Sequence, residues 1–304
     1  SFFIIPLFGL LAGLLITINQ EKPNPFLMVF LALPAVLIYS PFIKMFPVGL
    51  GLKMMVASTL FTTLLFFLIL PFFGQLKSKG RLAYLCLFLF FTFGITSHIQ
   101  SDFNEKRPKP SSLLYVYNED KNTSQWATYD NVLIDWNGQF LGEDKKQPEA
   151  ETISSKYRTN LNYVADAPKK EIPVPYIDTV MDTIVGENRV IEICITPQRD
   201  VNRLEIFTNP IKLGKAKVNQ IELSSHFLEN RKNRLVTHYI TNNNFTELQL
   251  EFPKDSVLEL TLYEASNDLL THPDFSIPER PKNSIPMPFV LNDAILTIKT
   301  LRFE

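Results

Sequence analysis

The sequence is poor in the residues that build disulfide frameworks and metal centres. It holds two cysteines and four histidines among 304 residues. Cys86 lies inside a long apolar run and Cys194 inside a strand-like segment, so the two would occupy different media and could not pair. A fold stabilised by disulfide bonds is therefore excluded.

Spacings typical of metal ligands are also missing. No two histidines stand at helical ligand spacing, and neither cysteine has another cysteine within three positions. We therefore assign this chain no catalytic residue, no cofactor-binding residue and no metal ligand. If distant loops did bring ligands together, the first candidates would be His226, His238 and His272.

Acidic residues are absent between Glu21 and Asp102, within the most apolar part of the sequence. Ion and proton pathways generally need ionisable groups inside the bilayer. The missing acids argue against a transporter and favour an anchor or scaffold.

The apolar part predicts a multi-helix membrane region over residues 1–100. Four stretches approach the roughly 20 residues that cross a bilayer, at 2–18, 26–42, 54–73 and 82–98. Pro34 and Pro41 interrupt the second, and residues 42–52 are expected to form a re-entrant or interfacial turn. The first run has no basic region before it and no cleavage site after it, which predicts a helix of a longer protein and not a signal peptide.

Basic residues in the short loops indicate the orientation. Lys77, Lys79 and Arg81 precede the last apolar stretch, and such residues are retained on the cytoplasmic side. The last helix would then deliver the remainder of the chain to the extracytoplasmic side, in the periplasm or in the lumen of the endoplasmic reticulum or vacuole. The inverted topology stays open, because the charge bias is small.

The water-soluble part is acidic. Residues 1–101 hold six of the 30 Lys and Arg residues and one of the 31 Asp and Glu residues, which leaves about −6 for the rest. A nucleic-acid partner would need a basic face, so we expect no nucleic acid and name the lipid bilayer as the first partner.

Residues 101–175 are predicted to form a linker and a small strand segment. Strands are expected at 112–117 and 125–130 around a turn at 118–122. The polar stretch 137–172 is expected to be an irregular surface connection.

Residues 176–304 change to a period of two. Apolar side chains alternate with polar ones in three segments, at 191–195, 247–252 and 258–262. This alternation is typical of antiparallel strands with one buried face, so the fold class is an all-β, sandwich-like domain. Asp178 and Asp182 are expected to share one strand face as solvated charges, and His272 and Asp274 to form a loop turn.

Three stretches carry a family resemblance. They are Lys-Pro-Ser-Ser-Leu-Leu-Tyr at 109–115, Trp-Ala-Thr-Tyr-Asp at 126–130, and Trp136, following several apolar spans. Their order resembles the C-terminal region of membrane-bound zinc aminopeptidases of the endoplasmic reticulum metallopeptidase and vacuolar membrane protease type, especially bacterial relatives.

The resemblance implies that catalysis and membrane anchoring belong to different domains of one protein. The family's dizinc peptidase domain, with its metal ligands and catalytic Glu, would precede this chain, so zinc is implied for that domain alone. This chain would be the membrane anchor and accessory β-domain, non-catalytic in itself, with the upstream peptidase domain as partner and possible homo-oligomers. Trp126, Tyr129 and Trp136 are expected to pack in the core. The alternative is a non-enzymatic envelope protein whose β-sandwich binds a protein or glycan partner.

Overall fold

The computed structural model describes residues 3–51, 54–73, 78–148 and 160–304. The chain divides into two compact units, Ser1–Ser101 and Asp102–Glu304. Apolar helices make up the first unit and the second is rich in β-sheet, which confirms the predicted order of the two parts. Lys77 of the basic link and residues 2, 52 and 149–159, on which parts of other predictions fall, lie outside the described residues.

The first unit contains α1 (Ile4–Asn19), α2 (Pro25–Leu50), α3 (Met55–Phe73) and α4 (Lys79–Ile99). Among the described residues, three helical segments are long and apolar enough to cross a membrane, at Pro25–Val48, Met55–Phe73 and Lys79–Ile99. The apolar α1 has 16 residues, about 24 Å of helix, which is shorter than the ~30 Å hydrocarbon core of a bilayer.

Helix α2 continues through Pro34, Pro41 and Pro47, so the turn predicted at 42–52 is wrong as far as residue 50. Pro47 has no N–H, and its position in the helix deprives the Ile43 carbonyl of the usual i+4 donor. The Ser58 hydroxyl on α3 donates to that carbonyl at 2.8 Å. A neighbouring helix thus satisfies the backbone group that the proline leaves open, which is how membrane helices tolerate proline.

The second unit contains fourteen strands and two short helices among its described residues. The helices are α5 (Asp135–Leu141) and α6 (Ser225–Asn230). The strands are β1 (Lys109–Ser111), β2 (Leu114–Asn118), β3 (Thr123–Thr128), β4 (Tyr163–Asp166), β5 (Tyr176–Val185), β6 (Asn188–Thr196), β7 (Arg203–Thr208), β8 (Lys215–Val218), β9 (Ile221–Glu222), β10 (Arg234–Tyr239), β11 (Thr246–Pro253), β12 (Leu258–Ser266), β13 (Ser284–Pro286) and β14 (Ala294–Phe303).

The strands form three sheets. The largest has seven strands in the order β10-β7-β12-β14-β2-β3-β4, in which only β14 and β2 run parallel. A five-stranded sheet has the order β5-β6-β11-β8-β9 and is antiparallel throughout. Strands β1 and β13 pair in parallel as a third sheet. The large sheet therefore joins strands from residues 101–175 to strands from residues 176–304.

One apolar core draws side chains from both larger sheets. Ile191, Ile193 and Ile195 of β6 belong to it, as do alternate residues of β11 and β12. All nine side chains of these three alternating sets are at most 1% exposed. The predicted period-two burial is confirmed, because each strand turns one face inward and one outward.

The stretch 137–172 is more regular than predicted. Helix α5 extends into it, and β4 adds to the edge of the seven-stranded sheet by pairing with β3. Leu161, Val164 and Ile172 are buried. The prediction of an irregular surface connection is wrong for these residues, because β4 pairs with β3 and the three apolar side chains pack in the core clusters of the unit.

The alternation of buried and exposed side chains can be tested with a pair of substitutions in β6. Ile193 is fully buried, so Ile193→Lys would leave an unpaired charge in the core and should lower the free energy of unfolding by several kcal/mol. Its neighbour Glu192 faces outward and receives a hydrogen bond from Gln249, so Glu192→Lys should change that free energy by about 0.5 kcal/mol. Urea unfolding of residues 102–304 measures both, and equal losses would contradict the strand register.

Candidate functional site

Two of the three stretches that carry the family resemblance, at 109–115 and 126–130, meet Asn137, the neighbour of Trp136, in one buried polar network. Ser112 follows β1, Asp130 follows β3, and Asn137 lies in the first turn of α5. Asp130 Oδ1 accepts hydrogen bonds from the backbone N–H and from the hydroxyl of Ser112, both at 2.9 Å. Asp130 Oδ2 accepts from Asn137 Nδ2 at 2.8 Å. One carboxyl group therefore joins three segments of the chain.

Further bonds complete the network. The Ser112 hydroxyl accepts from the Tyr129 N–H at 2.8 Å, and the Thr128 hydroxyl donates to the Ser112 carbonyl at 2.8 Å. Asn137 Oδ1 accepts from the Ile134 N–H at 2.9 Å at the start of α5. Ser112, Thr128, Asp130 and Asn137 are at most 2% exposed. Each buried polar group of the network has a partner within the fold, so the network fixes α5 against the β2–β3 hairpin.

Aromatic side chains pack beside this network. Trp126 contacts Phe140 and Tyr115, with ring centroids 4.8 Å and 5.3 Å away. Trp136 donates from Nε1 to the Pro278 carbonyl at 2.8 Å. Trp126, Tyr129 and Trp136 are all buried, which confirms the predicted core packing.

Arg280 covers one side of the aromatic cluster. Its guanidinium carbon lies 4.3 Å from the centroid of the Trp136 ring, within the range of a cation–π contact. The same group donates to the hydroxyls of Ser111 and Ser284 and forms an ion pair with Asp293. Burial raises the pKa of Asp293, and Arg280 opposes that rise. Arg280 thereby connects the β1–β13 pair to the loop before β14.

A second buried charge pair lies where β6 is connected to β7. Arg199 Nη2 is 3.5 Å from Glu264 Oε1 and donates to the Glu264 carbonyl at 3.1 Å, while Nη1 donates to Ser266. The two charged side chains are 8% and 1% exposed. Burial raises the pKa of Glu264 to about 7, although Arg199 acts in the opposite direction. Desolvation of the carboxylate therefore outweighs its attraction to the guanidinium.

The histidines are not brought together. His98 lies in α4, and the other three histidines each contact a different group. His226 Nδ1 is 3.3 Å from Asn230 Nδ2, His238 Nδ1 is 2.7 Å from the Thr246 hydroxyl, and His272 Nδ1 accepts from the Asp274 N–H at 3.3 Å. In the part of the chain that the structure describes, no three His, Cys, Asp or Glu side chains form a group that could hold a metal ion.

The acidic pair in β5 does not share a strand face, so that prediction is wrong. The register of β5 against β6 shifts between Thr179 and Met181, which places Asp178 opposite Cys194 and Asp182 opposite Ile191. A β-bulge of this kind turns the following side chains to the other face. Asp182 binds Arg189 through two 2.8 Å hydrogen bonds, which lower the pKa of its carboxyl group.

A cavity of about 500 Å³ opens on the seven-stranded sheet. Its lining includes the apolar Val116 and Val164 together with the polar Asn118, Gln125 and Tyr263. Two acidic and two basic side chains also line it, namely Asp120, Asp166, Lys121 and Lys146. A concave, electrically balanced wall of amide, hydroxyl and aromatic groups suits a neutral polar ligand.

Comparison with known proteins adds no relative. A scan against protein-family models and a search of curated proteins find no match to this chain.

The buried Glu264 should make stability depend on pH. Because its folded pKa of about 7 exceeds the ordinary 4.5, the folded state binds this proton more tightly, and stability falls as pH rises between those values. The fall should reach about 3 kcal/mol, at 1.36 kcal/mol per pKa unit. Glu264→Gln should remove this slope in urea unfolding between pH 4.5 and pH 7.

The matched control is Glu259→Gln, an exposed position on the same strand. It should retain the pH dependence of the unsubstituted protein. Parallel pH profiles for Glu264→Gln and the unsubstituted protein would contradict the assignment.

Proposed function

We propose that this chain is the membrane anchor and accessory extracytoplasmic β-domain of a zinc-dependent exopeptidase of the aminopeptidase type, non-catalytic in itself. In this proposal α1 to α4 all span the membrane, with local thinning of the bilayer around the 16-residue α1. The two larger sheets of the second unit form a sandwich. The active zinc centre belongs to an upstream peptidase domain of the same protein.

One observation carries the proposal. The runs at 109–115 and 126–130, which carry the resemblance to the peptidase family, supply Ser112 and Asp130 to the enclosed polar network. Trp126 and Trp136 pack in the aromatic cluster beside it. Residues that interlock inside a core act as scaffold, because a substrate cannot reach them. The stretches shared with the family would therefore preserve a fold and not an active site.

The membrane part of the proposal is supported by three helices of spanning length and by the basic residues at the start of α4. Lys79 and Arg81 lie in the first turn of α4, where the positive-inside rule favours the cytoplasmic side. The C-terminal end of α4 then emerges on the opposite side, in the periplasm or in an organelle lumen. Each residue of α4 is exposed within the described chain, which suits a helix surrounded by lipid or by helices of other subunits.

The cavity on the seven-stranded sheet favours a second candidate function. A neutral wall with amides and a tyrosine suits recognition of a glycan or a polar protein segment. The chain would then be an envelope protein that binds such a partner without an attached peptidase.

Zinc content and hydrolysis separate the two functions. The purified chain should contain no stoichiometric zinc and release no amino acid from aminoacyl reporter substrates. The same chain joined to its natural upstream region should do both, and a chelator should abolish the activity, because dizinc hydrolysis needs a cluster of imidazole and carboxylate ligands.

Either of two results would contradict the proposal. If the joined protein binds no zinc and hydrolyses nothing, the envelope function replaces the peptidase. If the chain alone binds zinc and shows chelator-sensitive hydrolysis, ligands converge within it, and His226, His238 and His272 are the residues to substitute first.

A further inference from the structure

The second unit carries a mixed apolar and basic surface close in sequence to the end of α4. Helix α4 ends at Ile99, and Phe103 follows four residues later. Phe103 is 54% exposed, and Val132, on the loop after β3, is 68% exposed. Together with the exposed Lys106 and Arg107 they form what we call the juxtamembrane surface.

This surface is built on an ordered turn. Asn104 and Arg107 exchange backbone hydrogen bonds of 3.1 Å and 2.9 Å, and the Asn104 side chain accepts from the Lys106 N–H at 3.0 Å. An asparagine side chain that bonds to the backbone two residues later stabilises such turns. The turn therefore presents Lys106 and Arg107 from a defined backbone and not from a flexible linker.

Lys109 contacts both parts of the juxtamembrane surface that carry an apolar side chain. Its Nζ donates to the Val132 carbonyl at 2.6 Å and lies 6.0 Å from the centroid of the Phe103 ring. One lysine in β1 thus contacts both the loop that carries Val132 and the ring of Phe103. The side chains of Phe103 and Val132 remain exposed although Lys109 holds the backbone and the ring beside it.

We propose that the juxtamembrane surface lies in the headgroup layer of the lipid bilayer, with Phe103 and Val132 at the boundary of the acyl chains and Lys106 and Arg107 beside the lipid phosphates. The inference rests on the proposed function in one respect, that α4 spans the membrane. Four residues of extended chain reach at most ~14 Å, and the headgroup layer is about 5 to 8 Å thick on each side. The chain length therefore allows Phe103 to lie in the headgroup layer and keeps it within about 10 Å of that layer.

Apolar insertion would contribute more than charge. Residues 102–109 contain three basic and two acidic side chains, so the net attraction to anionic lipid is small. Interfacial binding scales with the apolar area that enters the boundary, which Phe103 and Val132 supply. The long side chains of Lys106 and Arg107 can extend towards the phosphates from such a position.

Spin labels on the full chain in vesicles of phosphatidylcholine and phosphatidylglycerol test the proposal. On a background of Cys86→Ala and Cys194→Ala, a nitroxide is attached at Val132→Cys, and its collisions with dissolved oxygen and with a water-soluble nickel complex are measured. We expect the label to be more accessible to oxygen than to nickel. Phe103→Ser should shift the balance towards nickel, because it removes the neighbouring apolar anchor.

Two further labels serve as controls. Val257→Cys precedes β12, whose first residue pairs with Phe303, so it lies about 30 Å along the ten-residue β14 from the end where Ala294 pairs with Leu114. This label should favour nickel. Phe90→Cys in the middle of α4 should favour oxygen strongly.

Each other outcome has a defined meaning. A Val132 label exposed to nickel, with a Phe90 label in lipid, overturns this inference and leaves the proposed anchor function intact. A Phe90 label exposed to nickel overturns both. Dipolar broadening of the Val132 label that disappears on dilution with unlabelled chain shows that a second copy covers the surface, and also overturns the inference.

Discussion

The carboxyl group of Asp130 is the contact on which the β-rich unit depends. Its two oxygens accept three hydrogen bonds, two from Ser112 and one from Asn137, at a position that is 2% exposed. A buried carboxyl group is costly unless it is hydrogen-bonded, and here each oxygen has a partner. The start of β2, the end of β3 and helix α5 are therefore held in one arrangement, and β2 in turn pairs with β14 at the centre of the seven-stranded sheet.

Buried charges connect the remaining segments in the same way. Arg199 links the β6–β7 connection to β12, and Arg280 links the β1–β13 pair to the loop before β14. Such pairs add little net stability compared with apolar contacts, but removal of one member leaves a buried charge unpaired. The apolar core shared by the two larger sheets supplies the stability, and the charged groups determine which loops pack where. This arrangement gives the unit a scaffold without disulfide bonds, since both cysteines are free.

Whether a feature could be predicted from the sequence depends on how far apart in the sequence the interacting residues lie. The alternation in β6, β11 and β12 is local, so inward and outward residues were identified correctly, as was the burial of Trp126 and Trp136. The continuity of α2 is supported by the hydrogen bond from the Ser58 hydroxyl to the Ile43 carbonyl. These residues are fifteen positions apart, so no local sequence pattern predicts the bond. The Asp130 network joins residues 7 and 18 positions apart, and the bulge in β5 appears only when the strand pairs with β6. The four-residue β4 was missed because it lies within a polar stretch, and its pairing with β3 is what identifies it as a strand.

The urea-unfolding free energy of Asp130→Ala in residues 102–304 tests the central role of this carboxyl group most directly. The substitution leaves the buried Ser112 N–H without its acceptor, and such an unsatisfied donor costs about 1 to 3 kcal/mol. The Ser112 hydroxyl and Asn137 Nδ2 each lose one contact but keep Thr128 Oγ1 and the Ser112 carbonyl as partners. We expect a loss of about 2 kcal/mol or more, whereas Asp166→Ala at the exposed end of β4 should change stability by about 0.5 kcal/mol. A loss for Asp130→Ala no larger than that for Asp166→Ala would contradict the account.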